Sequence, residues 1–194
     1  MSIIIKDISK SYGNTVVFEN LNLKIKHYQI TAIMGASGVG KTTLLNILLG
    51  LEEPDTGKVE GLEEKKIVAV FQENRLVESL DSIRNVQVVC KKDFSRNELL
   101  EEFKQVGLED TENKPVSELS GGMKRRVAIV RAVFVDADII VMDEPFKGLD
   151  VGLKSKVIKY IKDKTKGKTV IIVTHNLDEV SELGAEKVYL NFTE

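Results

Sequence analysis

The sequence predicts an α/β fold built on a mainly parallel core sheet. Three observations support that class. Short apolar, β-branched runs bounded by turn signals recur along the chain. Helical segments fall between them, which is the alternation of parallel strands joined by crossover helices. Several of the runs are continuously apolar rather than alternating, as in strands covered on both faces. A length of 194 residues and a hydrophobic fraction of 42% suit one domain with its own core, spanning 1–194.

Taken in order, Ile3–Ile5 and Leu21–Ile25 are predicted as strands, followed by Ile30–Met34. A helix is predicted from Thr42 to about Leu49, stopped by Gly50. Ile67–Phe71 is the next strand. From roughly Glu73 to Lys114 the chain is charged and helical with no strong strand, so a helical subdomain is expected to interrupt the core over about 73–134. Within it, Ser95 and Glu98 have the spacing of a capping box and open a helix over Arg96–Val106 that ends at Gly107. Gly121–Phe134 follows, with Met123, Val127, Val130 and Phe134 on one face. Strand Ile139–Met142, helix Val151–Lys166, strand Val170–Val173, helix Leu177–Leu183 and strand Lys187–Leu190 complete the pattern, with Asn176 and Glu179 as the last helix's capping pair.

Composition excludes several function classes. With 28 basic and 30 acidic residues the net charge is −2, which gives no electrostatic footprint for nucleic acid. The most apolar helical stretch, Leu44–Leu51, is far shorter than the roughly 20 residues that cross a bilayer. Ser2 to Asp7 is strand-like and lacks the charged and apolar regions of a secretion signal. The single cysteine, Cys90, follows Val88 and Val89 in an apolar helical run, so a buried, inert thiol in a reducing cytoplasm is expected.

The run Gly35-Ala36-Ser37-Gly38-Val39-Gly40-Lys41-Thr42 matches G-x-x-x-x-G-K-[ST], after a strand and at the start of a helix. Glycines allow successive N–H groups to face an anion, while Lys41 and the helix N-terminus add positive charge. ATP phosphates are expected there, with the Thr42 hydroxyl on Mg2+ and Thr43 as a second phosphate contact. Downstream, the strand Ile139–Met142 ends in Asp143-Glu144-Pro145. At a strand end Asp143 can reach the magnesium shell, and Glu144 can polarise an attacking water. GTP is disfavoured, since Asn113-Lys114-Pro115-Val116 has valine where a guanine-reading aspartate belongs.

Leu119-Ser120-Gly121-Gly122-Met123 opens a second helix suited to phosphate. With the phosphate loop before it and the acidic strand after it, the chain resembles the ATP-binding cassette (ABC) family from about Ile3 to Asn191. The resemblance implies a phosphate-loop NTPase with an N-terminal antiparallel β subdomain and an inserted helical subdomain. By the same resemblance, Tyr12 stacks on adenine, and Gln72 contacts magnesium and the attacking water. Asp150, in Gly148-Leu149-Asp150, lies in the loop through which two nucleotide sites communicate, and His175 hydrogen-bonds the γ-phosphate. Ser120, Gly121 and Gly122 would serve the nucleotide of a second copy in a head-to-tail dimer. Catalysis would then rest on Glu144, His175, Gln72 and Lys41.

Three features depart from the family pattern. Met123 stands where glutamine is usual, and Lys147-Gly148 replaces a small-residue pair. The stretch Pro54–Lys66 is short for the family's β-hairpin, and a minimal cassette without a regulatory domain is expected. The implied function is that of the ATPase subunit of a transporter, with separate membrane-spanning permease subunits and a place on the inner face of the cell membrane. Phe71-Gln72-Glu73-Asn74-Arg75-Leu76 most resembles importers of the nitrate, sulfonate and taurine group. Val77, Leu80, Ile83 and Val86 would form either a docking groove for the permease or the subdomain's own core. The alternative is a soluble cassette ATPase acting on a protein assembly such as iron–sulfur cluster building.

Overall fold

The computed structural model describes residues 2–91 and 93–190. Asn191, the far limit of the resemblance, lies outside the described residues. Strands β1 (Ser2–Tyr12) and β2 (Thr15–Lys26) form an antiparallel hairpin, β3 (Ile30–Met34) enters the main sheet, and β4 (Thr56–Glu60) returns to pair antiparallel with β1. The main sheet adds β5 (Ile67–Val70), β6 (Ile139–Asp143), β7 (Thr169–Val173) and β8 (Glu186–Tyr189). Its order is β5-β6-β7-β3-β8, and every neighbouring pair is parallel.

The continuous apolar runs of the central strands have a direct cause. Every residue of β6 and β7 is buried. Because side chains alternate across a sheet, Ile139, Val141, Ile171 and Val173 join Ile3, Ile5, Phe18 and Leu44 on one face. Ile140, Met142, Val170 and Ile172 join Val127, Val130, Val157 and Ile161 on the other. The three-stranded sheet and α1 (Lys41–Leu48) thus cover one face, and the later helices cover the other.

β1 and β2 are longer than predicted because their middles are polar and irregular. Asp7 and Asn20 have positive φ, the register shifts along the pair, and Asn22 Nδ2 donates to Asp7 Oδ1 at 2.9 Å. Pro54–Lys66 yields one strand, β4, rather than a hairpin. β8 begins one residue early, and Leu190 is buried just beyond it with its N–H donating to Met34 O at 2.8 Å.

Between the adjacent strands β5 and β6 run α2 (Ser82–Gln87), α3 (Arg96–Gln105), a 3-10 turn (Val116–Glu118) and α4 (Gly121–Phe134). The capping box of α3 is present in full, with the Ser95 and Glu98 side chains each accepting from the other's backbone N–H. Ile83 and Val86 are core residues of this segment, whereas Val77 is exposed. Asn85 is fully buried, and its amide satisfies Val77 N–H and the carbonyls of Val77, Leu80 and Asp81. Cys90 departs from prediction. α2 ends at Gln87, Val88 and Val89 are exposed in a turn, and Cys90 lies beyond the helix, only partly buried. Three adjacent apolar residues have no helical periodicity, so nothing drives the helix through them.

α5 (Val151–Lys164) and α6 (Leu177–Leu183) pack against each other. Asn176 caps α6 through the N–H groups of Asp178 and Glu179, as predicted, but the Glu179 side chain does not return to the cap. Among the described residues, no helix is long and apolar enough to cross a membrane.

Candidate active site

Because β3, β5, β6 and β7 run parallel, their C-terminal ends open on one edge of the sheet. The loops leaving that edge enclose a cleft of about 690 Å³. It is lined by Gly35, Ala36, Ser37, Gly38, Gly40, Lys41, Thr42 and Thr43, and by Gln72, Asp143, Glu144, Lys147 and His175.

The loop from Gly35 to Gly40 leaves β3 and feeds α1. Gly40 is the N-cap residue, with φ 94°, and makes no side-chain cap. A Cβ there would stand 2.7 Å from the Phe18 ring, so hairpin packing admits only glycine. The first turn of α1 carries no acidic residue, and its leading N–H groups are free to face an anion. Val39 is buried under the loop rather than lining the cleft. Lys41 Nζ lies inside the loop, donating to Gly35 O at 2.9 Å and Ala36 O at 2.7 Å.

One hydrogen bond ties the start of α1 to the acidic strand end, and a second ties that strand end to the residues after β7. Thr42 Oγ1 donates to Asp143 Oδ2 at 2.8 Å. His175 Nδ1 meets Glu144 Oε1 at 3.0 Å. Glu144 has φ 47°, a left-handed backbone that a non-glycine residue adopts only when its surroundings hold it. Its N–H donates to Val173 O at 3.0 Å, so the neighbouring strand provides that hold. The effect is to point the carboxylate away from the sheet and into the cleft, beside His175.

Gln72 is exposed at the cleft wall, and a residue absent from the sequence prediction fixes its backbone. Arg125 of α4 is 6% exposed and donates from its two terminal nitrogens to Phe71 O and Gln72 O. Burial pulls its guanidinium below the ordinary arginine pKa, opposed by the Asp143 and Glu144 carboxylates. Arg131, farther along the same helix, donates to Asn74 O and Arg75 O. The available signal was a helix expected to be apolar on its packed side yet carrying Arg125, Arg126 and Arg131. Lys147 also lines the cleft, although in the sequence it stood out only as a departure from the family pattern.

Six predicted residues, Val39 among them, lie outside the cleft lining. Tyr12, half exposed, donates its hydroxyl to Glu52 and has the Thr43 hydroxyl beside it, so its ring stands next to the start of α1. Ser120 caps α4 by accepting from Met123 N–H at 3.3 Å, and Gly121 and Gly122 form the first turn of that helix. Asp150 caps α5 by accepting from Leu153 N–H at 3.0 Å.

A family model described as ABC transporter matches residues 18–147. The chain belongs to the ABC transporter family. Among curated relatives it is 32% identical to the spermidine/putrescine import ATP-binding protein PotA of Mesoplasma florum, over 96% of this chain and 58% of that protein. It is 35% identical to the aliphatic sulfonates import ATP-binding protein SsuB 1 of Shouchella clausii, over 98% of this chain and 77% of that one. A probable sulfate/thiosulfate import ATP-binding protein CysA of Chlorella vulgaris is 34% identical, over 98% and 87%. The chain thus spans well under two thirds of the PotA relative's length. These ABC relatives differ in named cargo at nearly equal identity, so similarity alone selects none of them.

Among solved structures, a bacterial ABC transporter cassette determined as a dimer superimposes with a TM-score of 0.84 at 32% identity, covering 97% of this chain and 94% of that one. A cassette in a post-hydrolysis state bound to ADP and Pi gives 0.83 at 31% identity, with the same coverage. The parallel five-stranded sheet, the three-stranded antiparallel sheet and the helices are those of an ABC cassette.

Proposed function

We propose that this chain is the ATP-binding and ATP-hydrolysing subunit of an ABC importer, acting as a head-to-tail pair on separate membrane-spanning subunits at the inner face of the cell membrane. The observation that carries the proposal is the Glu144–His175 hydrogen bond, in the same cleft as the Lys41 loop and the Thr42–Asp143 contact. The importer role and the pairing are supported by the relatives' names and by the dimeric neighbour. Hydrolysis is supported by the neighbour bound to ADP and Pi. The whole chain acts as one nucleotide-binding domain, with the helical segment of about 73–134 inserted in its core.

In this reading the N–H groups of the 35–40 loop and Lys41 hold the phosphates, and Thr43 adds a hydroxyl. Tyr12 offers its ring to adenine. Glu144 takes a proton from, or orients, the attacking water. His175, fixed through Nδ1 on Glu144, turns its other ring nitrogen toward the γ-phosphate, and Gln72 closes the wall beside the water. The donor set suits magnesium. Thr42 and Asp143 present two hard oxygens already in contact, and magnesium characteristically takes one or two such ligands together with substrate phosphates. When bound there, with Gln72 at the shell's edge, the ion would neutralise charge on the β- and γ-phosphate oxygens. Ser120, Gly121, Gly122 and Asp150 lie away from this cleft, which suits a role at the partner copy's nucleotide.

The test is Glu144→Gln. Steady-state ATP hydrolysis is expected to fall at least about 100-fold while ATP affinity stays within about threefold, since only the base is removed. An unchanged turnover would remove Glu144 from the mechanism.

A further inference from the structure

Behind His175 lies a carboxylate with no part in the mechanism above. Glu179, on α6, is ionisable yet 6% exposed. Its Oε1 pairs with Lys154 Nζ of α5 at 2.7 Å, and its Oε2 accepts from Thr174 Oγ1 at 2.5 Å. Thr174 is itself fully buried, and its hydroxyl also accepts from Asn176 N–H at 3.2 Å. One hydroxyl is therefore bonded across the loop to Asn176 and onward to the helix that follows. His175 is the residue between.

His175 needs such a hold. Its side chain is 74% exposed, so packing does not set its direction, and the hydrogen bond that aims it is the one to Glu144. For an exposed ring on a short loop, aim depends on the backbone that carries it. Lys154 extends the connection. Its N–H donates to Asp150 O at 2.9 Å in the first turn of α5, directly after Gly148-Leu149-Asp150.

We propose that Glu179, charged against Lys154, is a positioning residue for His175: it holds the Thr174 hydroxyl and so makes the aim of the imidazole depend on where the first turn of α5 lies. This rests on the reading of His175 as a site residue. Glu179 had been expected to serve as a reciprocal cap of α6. Its carboxylate instead points to Thr174 and Lys154, and Asn176 caps the helix without it.

The experiment compares Thr174→Val, Thr174→Ser and Glu179→Gln, in the natural chain and with His175→Ala. Thr174→Val and Glu179→Gln are expected to lower kcat about ten- to a hundredfold while KM for ATP moves less than about threefold, and Thr174→Ser restores the rate. Combined with His175→Ala, neither adds a further loss. In the nucleotide-free protein, the His175 ring resonances shift in Thr174→Val, with His27, the other of the two histidines, as internal reference. Equal losses with and without His175, or unmoved His175 resonances in a Thr174→Val protein that melts cooperatively, would overturn the proposal and leave a plain ion pair between two helices. If His175→Ala leaves turnover intact, the mechanistic reading of His175 fails. The resonances still decide whether Glu179 and Thr174 set its aim. Should Glu179→Gln not fold, Thr174→Val carries the same comparison.

Discussion

Gly40 shows how a single residue couples the hairpin to the phosphate loop. Its φ of 94° and the Phe18 ring 2.7 Å from any added Cβ oppose a side chain on two independent grounds. Gly40→Ala is expected to cost about 1–3 kcal/mol in denaturant unfolding and to weaken binding of a fluorescent ATP analogue as the loop shifts. Arg125 makes the opposite point, since its value lies in partners far away in sequence. Arg125→Met would leave the Phe71 and Gln72 carbonyls without their donor, an expected loss of about 1–3 kcal/mol by thermal or urea unfolding. The phosphate loop and Asp143-Glu144 were legible because their chemistry is contiguous. Arg125 was not, because a buried arginine on a helix is defined by the carbonyls it meets, and those lie 54 and 53 residues away.

Whole elements were legible in proportion to how local their causes are. α3 could be read to its first residue, because Ser95 and Glu98 announce the cap within four positions. β4 could not, since Thr56–Glu60 is mostly exposed and becomes a strand by pairing with β1. α2 is short and held by Asn85, whose side chain accepts from Val77 N–H and adds a second donor to the carbonyls of Val77, Leu80 and Asp81, each already bonded to a backbone N–H. Asn85→Ala is expected to destabilise the chain by about 2–3 kcal/mol, with amide exchange rising first in residues 76–89. α5 predicts a pH response. The Tyr160 hydroxyl donates to Glu102 Oε2 at 2.7 Å, and burial first, then the Glu102 charge, push its pKa well above the ordinary 10.0. Folding therefore favours the protonated phenol. Its contribution is complete below pH 10 and is lost as pH rises beyond that. Tyr160→Phe should flatten the alkaline fall in melting temperature.

For the molecule as a whole, the two helix starts proposed to meet phosphate face different places. α1 opens on the cleft, and α4 opens at Ser120, outside its lining. In the proposed function α1 serves the chain's own nucleotide and α4 that of a partner copy. With magnesium and ATP, Glu144→Gln is expected to move from one chain to two by light scattering, and a further Ser120→Arg to return it to one chain that still binds ATP. A dimer indifferent to Ser120→Arg would exclude α4 from the interface. The strand–helix alternation, the phosphate-loop motif, the acidic strand end and the family can be read before folding, because each is written in residues adjacent along the chain. That β3, β5, β6 and β7 end on one edge comes from packing alone. From that follow the Thr42–Asp143 and Glu144–His175 contacts, the left-handed backbone of Glu144, and the carboxylate of Glu179 behind His175. These depend on parallel strands and packed helices bringing distant residues within about 3 Å, a hydrogen-bond distance that no spacing along the chain encodes.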